Sequence, residues 1–408
     1  MRMPEAMPPP RRIQEALRKT TEALAAELAR PGSPTPDWSD FEWQIARAVL
    51  ATHGVAPLLA SRLRWQVPAD WRRFLDQQRE HTIIRHERID ALLSRIDAHS
   101  RAQGLPVVAL KGAALHALGL YRRGERPMAD LDLLVRPADA DRAGSMLAGV
   151  GYHESHVTPK HRVFAARGSV VRTPDDVGEH PDNPLMIELH EYVREWLPLH
   201  PQDISSRVWP QQSRPGLNAY PRRAALMAHV LLHAAGAVVY RCVRLLHLND
   251  LALLSTSMNE ADWNELCGQD PRIQWWALPP LLLTARYYES AVPRPVLERL
   301  AAHCPRRLLR ATRRQILSDV SLSNLRIEAF PGIEWAQSAS ERMRYVITRI
   351  RPNRATLALR EVVRSQSYSS GSSWARLSQG HRILRWLLTR PTRSESMYPV
   401  HMVLTRAR

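Results

Sequence analysis

The feature that most constrains the fold is an abrupt change of hydrophobic pattern at Gly104. Before it, residues 75–99 form a long amphipathic stretch with one strongly charged face. After it, residues 106–110 (PVVAL) are a short continuous apolar run, which is typical of a strand buried on both faces. A sheet-forming segment therefore follows a helical one.

The segment after Gly104 predicts a compact α+β unit. Lys111-Gly112 ends the first strand, and residues 113–120 are expected to be a short helix. Residues 130–135 and 185–192 supply two further strands, and Pro137 suits the first position of the helix between them. We predict an α+β fold with a small mixed-sheet core flanked by N-terminal and C-terminal helical regions.

Five segments are predicted along the chain of 408 residues. Residues 1–36 are expected to be a flexible, proline-rich leader around one short helical stretch, and Asp37 to cap the next helix. In the tail, a serine- and glycine-rich joint at 365–373 precedes a basic amphipathic helix at 381–388. The predicted segments are the leader 1–36, an N-terminal helical region 37–104, the core 105–200, a C-terminal helical region 201–350 and a basic tail 351–408.

Composition argues against several classes of protein. The three cysteines are too far apart for a C-x-x-C metal site and odd in number, so a reducing cytoplasm is expected. No apolar run follows the first arginines, which argues against a secretory signal. The longest apolar tract, 226–254, contains charged residues that a spanning helix would have to desolvate, so no transmembrane segment is expected.

The net charge of +17 raises the question of a nucleic-acid partner. Residues 351–408 contain eleven arginines and two glutamates, so +9 of this charge lies in the tail. Residues 105–195 carry eleven cationic and thirteen acidic side chains, a balance of −2. Because the predicted core is not basic, a nucleic-acid partner stays open but is not favoured.

Paired carboxylates are the strongest chemical signal. In a strand at 130–135, Asp130 and Asp132 point to one face while Leu131, Leu133 and Val135 pack behind them. Two crowded carboxylates are costly unless a cation neutralises them, and their oxygens suit Mg²⁺ or Mn²⁺. An isolated D-x-D is more often a solvated strand end, so the neighbouring residues decide between the two interpretations.

Those neighbours favour a phosphate ligand. The glycine of Lys111-Gly112 permits a tight turn before a helix whose first N–H groups are free to bind an anion. Metal beside phosphate is what nucleotidyl transfer needs. Arg126 is close enough in sequence to Asp130 to reach a triphosphate, although the chain has many other arginines.

A third carboxylate is expected from residues 186–190 (MIELH). Glu188 and His190 share a strand face, with Ile187 and Leu189 buried behind them. Glu188 could complete the metal site or deprotonate an acceptor hydroxyl, and His190 could support a metal ligand or contact phosphate. A solvent-facing edge strand is the alternative.

These motifs together resemble the bacterial family of uncharacterised nucleotidyltransferases within the polymerase-beta-like superfamily. The resemblance runs through residues 107–115, 126–135, Gly151-Tyr152 and 188–190, and extends over about residues 37–264. It includes residues 53–59 (HGVAPLL) before the core, and residues 246–252 (LHLNDLA) with Trp263 after it.

The resemblance implies a role for each matching position. Gly112 corresponds to the glycine of the phosphate-binding turn, Asp130 and Asp132 to the paired metal ligands, and Glu188 to the third acidic position. The superfamily usually has serine where this chain has Ala113, so one hydroxyl contact to phosphate is missing and Lys111 is expected to replace it in part.

Three functions compete at this point. The first is an enzyme that moves a nucleoside monophosphate from a triphosphate such as ATP to a hydroxyl of a small molecule, peptide or protein. The second is an RNA-binding or tRNA-modifying protein of the same fold that uses the arginine-rich tail. The third is an inactive scaffold, ranked last because Asp130, Asp132 and Glu188 are all present. The sequence identifies neither the base nor the acceptor.

Overall fold

The fold is described from a computed structural model of the chain. It describes residues 7–168, 177–198, 200–268, 275–352, 379–389 and 391–406. The predicted joint at 365–373 lies outside these residues. Within the described ranges, no helix combines the length and apolarity needed to cross a membrane.

Four helices precede the sheet: α1 (Pro10–Ala29), α2 (Asp40–His53), α3 (Ala56–Arg62) and α4 (Ala69–Ala102). Ser39, and not Asp37, caps α2, because its side chain accepts the backbone N–H of Glu42 while Glu42 accepts that of Ser39.

Helix α1 corrects the prediction of a loosely attached leader for this part of the chain. Ile13, Leu17 and Leu24 are buried in the main core, and α1 packs against α2. Proline-rich flanks suggested a loose segment, but the apolar residues between them recur at helical spacing and bury one face.

One mixed sheet of six strands forms the centre of the core, in the order β3-β4-β5-β2-β1-β8. The strands β2 and β5 run parallel, as do β1 and β8, and the other neighbouring pairs are antiparallel. The strands are β1 (Pro106–Ala109), β2 (Asp130–Leu134), β3 (Tyr152–Val157), β4 (Arg162–Ala166), β5 (Met186–His190) and β8 (Gly216–Asn218). A separate hairpin joins β6 (Arg194–Leu197) to β7 (His200–Asp203).

The α+β prediction is confirmed, but the core extends past its predicted end at residue 200. Gly216–Asn218 adds the edge strand beside β1. A strand of only three residues is too short to show a recognisable pattern in the sequence. Helix α5 (Lys111–Ala117) follows β1 directly, and α6 (Ala140–Gly149) joins β2 to β3.

Each face of the sheet packs against a different helical layer. Leu131, Leu133 and Ile187 point to the back, where they form one core with α4 and α6. Leu134 points to the front and belongs to a larger core that joins the N-terminal and C-terminal helices. The carboxylates predicted from sequence lie where the front layer leaves a cleft.

The C-terminal helices complete the front layer. Helix α8, at its centre, is almost wholly buried. The last helix, α16, packs against α2 with Val400 and Val403 buried, so the end of the predicted basic tail is part of the fold. The helices after β7 are α7 (Ser205–Val208), α8 (Arg223–Val239), α9 (Leu245–Thr256), α10 (Glu260–Cys267), α11 (Leu278–Tyr287), α12 (Arg294–His303), α13 (Arg306–Thr312), α14 (Ala339–Ile350), α15 (Gln379–Thr389) and α16 (Ser394–Arg406).

Candidate functional site

Strand register brings the predicted carboxylates together. Asp132 on β2 and Glu188 on β5 are partner positions across the parallel pair, and Asp130 lies two residues before Asp132 on the same face. His190 is the partner of Leu134 and therefore lies on this face as well. The three acidic side chains expected from sequence thus converge on the front of the sheet.

Asp132 is the most strongly held of the three. Its Oδ1 atom accepts hydrogen bonds from Lys111 Nζ at 2.8 Å and from His190 Nε2 at 2.9 Å. Burial alone would raise the pKa of Asp132, but the Lys111 charge and the His190 hydrogen bond keep this pKa well below its usual value. Although burial opposes it, the pKa of His190 is raised by its hydrogen bonds to Asp132 and Glu188. Asp132 is therefore a buried carboxylate that stays ionised.

Asp130 behaves in the opposite way. Its surface can be reached from the cleft, but the surrounding protein removes much of its hydration. This desolvation, together with the charges of Asp132 and Glu188, raises the pKa of Asp130 to about 6. Ionisation of Asp130 is therefore opposed by partial desolvation and by two like charges.

The turn after β1 is made by Lys111, whereas the sequence predicted that Gly112 would make it. Lys111 has φ +43°, in the left-handed region that few residues other than glycine adopt, whereas Gly112 is helical. A Cβ on Gly112 would lie 2.6 Å from Arg126 Nη1 and 2.8 Å from Met128 Sδ. Glycine is needed at 112 for space, and the strained turn at Lys111 aims its ammonium group at Asp132. Ala113 follows Gly112 in α5, at the position where the superfamily usually has serine.

Arg126 lies in the site but is already engaged. Its Nε and Nη2 atoms donate to the two oxygens of Asp250 on α9 at 2.8 Å each, and Tyr121 donates to the same carboxylate. Because two arms of the Arg126 fork are paired within the protein, its predicted contact with triphosphate would require this buried ion pair to rearrange.

Two histidines flank Glu188. His161 Nε2 lies 3.5 Å from Glu188 Oε1, and His190 Nε2 lies 3.6 Å from Glu188 Oε2. Burial lowers the pKa of His161 to about 4, so this imidazole is neutral at pH 7. Sequence reasoning missed His161, because it belongs to a β3–β4 hairpin whose alternation is too weak to recognise and lies 27 residues before Glu188.

A cavity of about 350 Å³ opens in front of the carboxylates. Asp130, Asp132, Lys111 and the rim of α5 line one side, whereas Glu188 is not among the described residues that line it. The size falls at the lower end of the usual range for small-ligand sites, roughly 300–1,000 Å³.

The remaining lining residues of the cavity come mostly from elements that are far from the carboxylates in the sequence. Lys160 donates to Glu195 at 2.5 Å, which joins the β3–β4 turn to β6. His233 on α8 and Arg244 before α9 complete this part of the lining. Arg244 is exposed, and within the described part of the chain no carboxylate lies in ion-pair distance of it. Such residues could be found only from the fold, because they come from segments far apart in the chain.

Together, the mixed sheet, its acidic front face and the helical cover define an α+β protein with a cleft lined by charged residues beside crowded carboxylates. The model of the uncharacterised nucleotidyltransferase family matches residues 39–292, well over half of the chain. The protein therefore belongs to this nucleotidyltransferase family, as the resemblance of residues 37–264 predicted. Neither the curated proteins nor the solved structures provide a match.

Proposed function

We propose that this protein transfers a nucleoside monophosphate from a nucleoside triphosphate to an acceptor hydroxyl, with pyrophosphate as the leaving group. The register of Asp132 with Glu188 carries the proposal, because it brings both carboxylates next to Asp130, and Asp130 and Asp132 line one cavity. Family membership supports a nucleotidyltransferase, and the geometry suggests how the chain would perform the transfer.

The residues of the cluster fit a hard divalent cation. Carboxylate oxygens of Asp130, Asp132 and Glu188 are the donors that Mg²⁺ or Mn²⁺ prefers. Desolvation, and then the charges of Asp132 and Glu188, raise the pKa of Asp130, and a bound cation would favour its ionised form. When bound, such an ion supplies Lewis-acid polarisation of phosphoryl oxygens. Asp132 is already ionised and held in place, so it needs little rearrangement to act as a ligand.

Cations of the chain would hold the triphosphate. Lys111 already lies against Asp132, and its ammonium group would shield phosphate oxygens from the carboxylate charge. Arg244 lines the same cavity with a guanidinium free of carboxylate partners among the described residues. We infer that Arg244, and not the Asp250-bound Arg126, contacts the phosphates, since a guanidinium fork matches phosphate oxygens.

The cavity favours an acceptor other than nucleic acid. Its cations alternate with carboxylates, including Glu195 and Asp250, so it lacks the continuous positive surface that tracks a phosphate backbone. A small molecule, or a side chain of a peptide or protein, fits an enclosed cleft of this size better.

A thermal-shift screen tests the proposal. Each of the four nucleoside triphosphates is added with Mg²⁺ or Mn²⁺, and at least one is expected to raise the unfolding midpoint because it binds the native state. Asp132→Asn should abolish this rise, whereas Asp76→Asn, an exposed aspartate of α4, should preserve it. If no triphosphate stabilises the wild type, or if Asp132→Asn responds equally well, the proposal is wrong.

The RNA-binding alternative calls for a separate test. Deleting the tail would be misleading, because Val400 and Val403 belong to the core. Replacing Arg354, Arg360 and Arg364 with glutamine removes charge without removing α16. Steeply salt-dependent RNA binding that these changes weaken would favour the alternative, whereas no binding would dismiss it.

A further inference from the structure

Beside the carboxylate pair lies a cluster of mixed nitrogen and oxygen donors. One donor atom each from His161, Glu188 and His190 lies within 4.8 Å of the other two. Each Nε2 atom is close to a different oxygen of Glu188, at 3.5 and 3.6 Å. Ligands bonded to one metal ion at about 2.0–2.2 Å stand about 3.0–3.6 Å apart at octahedral or tetrahedral angles. The two histidine–glutamate separations fit a shared ion with only small movements.

Among the described residues, His161 contacts Glu188 and the ring of His190 but makes no side-chain hydrogen bond that would fix its position. Its Nδ1 atom is buried without a hydrogen-bond partner in the described part of the chain. Its Nε2 atom is 3.5 Å from Glu188, beyond the usual N–H···O distance. The imidazole therefore makes no side-chain hydrogen bond among the described residues, and its Nε2 atom faces the Glu188 carboxylate at a distance that suits two ligands of one ion.

We propose that His161, Glu188 and His190 bind a divalent transition-metal ion such as Mn²⁺, Co²⁺ or Zn²⁺ next to Asp132. Imidazole nitrogen suits these ions, whereas Mg²⁺ prefers oxygen donors alone. The site goes beyond the proposed function, because it stands whether or not the cavity binds a triphosphate. Glu188 is shared by the two positions, because its carboxylate is also a proposed ligand of the cation at Asp130 and Asp132, whereas the two histidines belong only to the mixed site.

His190 links the two positions. Its Nε2 atom now donates to Asp132 Oδ1 at 2.9 Å. A nitrogen cannot carry a proton and a metal ion at once, so an ion bound at Nε2 would replace that proton, which is released to solvent. Asp132 Oδ1 then loses one of its two donors and becomes available to the same ion or to a neighbouring one.

Pulsed electron paramagnetic resonance of tag-free protein with one equivalent of Mn²⁺ tests this site. Nitrogen coupling from coordinated imidazole is expected in the wild type. His161→Gln should reduce the coupling and weaken Mn²⁺ binding by at least about 10–100-fold, the loss expected even for a residue that only supports a metal ligand. His161→Gln combined with His190→Gln should abolish it. His153→Ala, an exposed histidine of β3, is the matched control and should keep the full signal.

The outcomes separate this site from the proposed function. Asp130→Asn should lose stabilisation by triphosphate but retain the nitrogen coupling, because Asp130 is not part of the histidine cluster. Absence of nitrogen coupling in the wild type, or full coupling in the double histidine variant, would overturn the inference. Either result would leave a Mg²⁺-dependent response to triphosphate unaffected. The unfolding midpoint of each variant in EDTA verifies that the fold is intact.

Discussion

Lys111 and Asp132 form the central ion pair of the site, with Nζ 2.8 Å from Oδ1 and both side chains largely buried. Lys111 adopts a left-handed backbone conformation to make this contact. A residue held in such a conformation must be fixed by its surroundings, and Tyr220 contributes by accepting the backbone N–H of Lys111 while bonded to His229.

Lys111→Met should destabilise the metal-free protein by about 2–3 kcal/mol at pH 7, because it leaves Asp132 buried with one donor fewer. The pKa of Asp132 is depressed in the folded state, so the stability from this pair is present above 3.8, the usual aspartate value, and is lost as the pH falls below it. The difference between wild type and variant in the free energy of unfolding, measured with urea, should therefore become smaller in acid.

Lys160→Met is the matched control for this prediction. Lys160 also pairs with a carboxylate, that of Glu195, but 43% of the Lys160 side chain is exposed. Its loss should cost less than about 1 kcal/mol. Equal effects of the two lysine substitutions would contradict the role assigned to Lys111.

Asp130→Asn should raise the thermal midpoint of the metal-free protein at neutral pH. Burial and like charges raise the pKa of Asp130 to about 6, so its ionised form costs folding stability above that pH. The gain should shrink as the pH falls through about 6, where the wild-type carboxyl takes up its own proton. Scanning fluorimetry in EDTA across this range measures it, and a midpoint lowered at every pH would refute the interpretation.

Gly112→Ala should cost about 1–3 kcal/mol, because the new methyl group would press against Arg126 and Met128. Gly149→Ala in α6 is the control, since its Cβ would meet only His99 Cδ2 at 3.7 Å. That variant should be as stable as the wild type or slightly more so. Chemical denaturation of both variants gives their free energies of unfolding, which separates the cost of a steric clash from the gain in helix propensity.

Asp250→Asn should destabilise the protein by about 3–5 kcal/mol, since it leaves the Arg126 guanidinium buried without its counter-charge. It should not tighten triphosphate binding, because Arg244 and Lys111 are the proposed phosphate contacts. Calorimetric titration at a temperature where the variant remains folded would decide, and clearly tighter binding would show that Arg126 is the phosphate ligand.

The strand face of the site could be predicted from sequence. Alternation alone placed Asp130 and Asp132 together with Leu131 and Leu133 behind them, and the back-facing core confirms this arrangement. The period of two is fixed by strand geometry, so it holds whatever surrounds the strand. The same rule placed Glu188 on one face of residues 186–190, whereas its partnership with Asp132 across the two strands is given by the structure.

The walls of the cavity could not be predicted in the same way. Arg126 and Asp250 are 124 residues apart, and their pairing depends on how α9 packs over the sheet. His161 and Arg244 likewise reach the site through hairpin and helix packing that no local pattern encodes. Such contacts depend on tertiary packing, whereas the alternation of side chains between the two faces of a strand is fixed by the backbone.

The most direct test of the central claim is anomalous diffraction from a crystal of the protein with Mn²⁺ and a non-hydrolysable triphosphate. The account predicts a manganese peak bonded to Asp130, Asp132 and Glu188, with the triphosphate reaching Lys111 and Arg244. The mixed site predicts a further manganese peak beside His161 and His190. A triphosphate bound elsewhere, or manganese that avoids both aspartates, would contradict it.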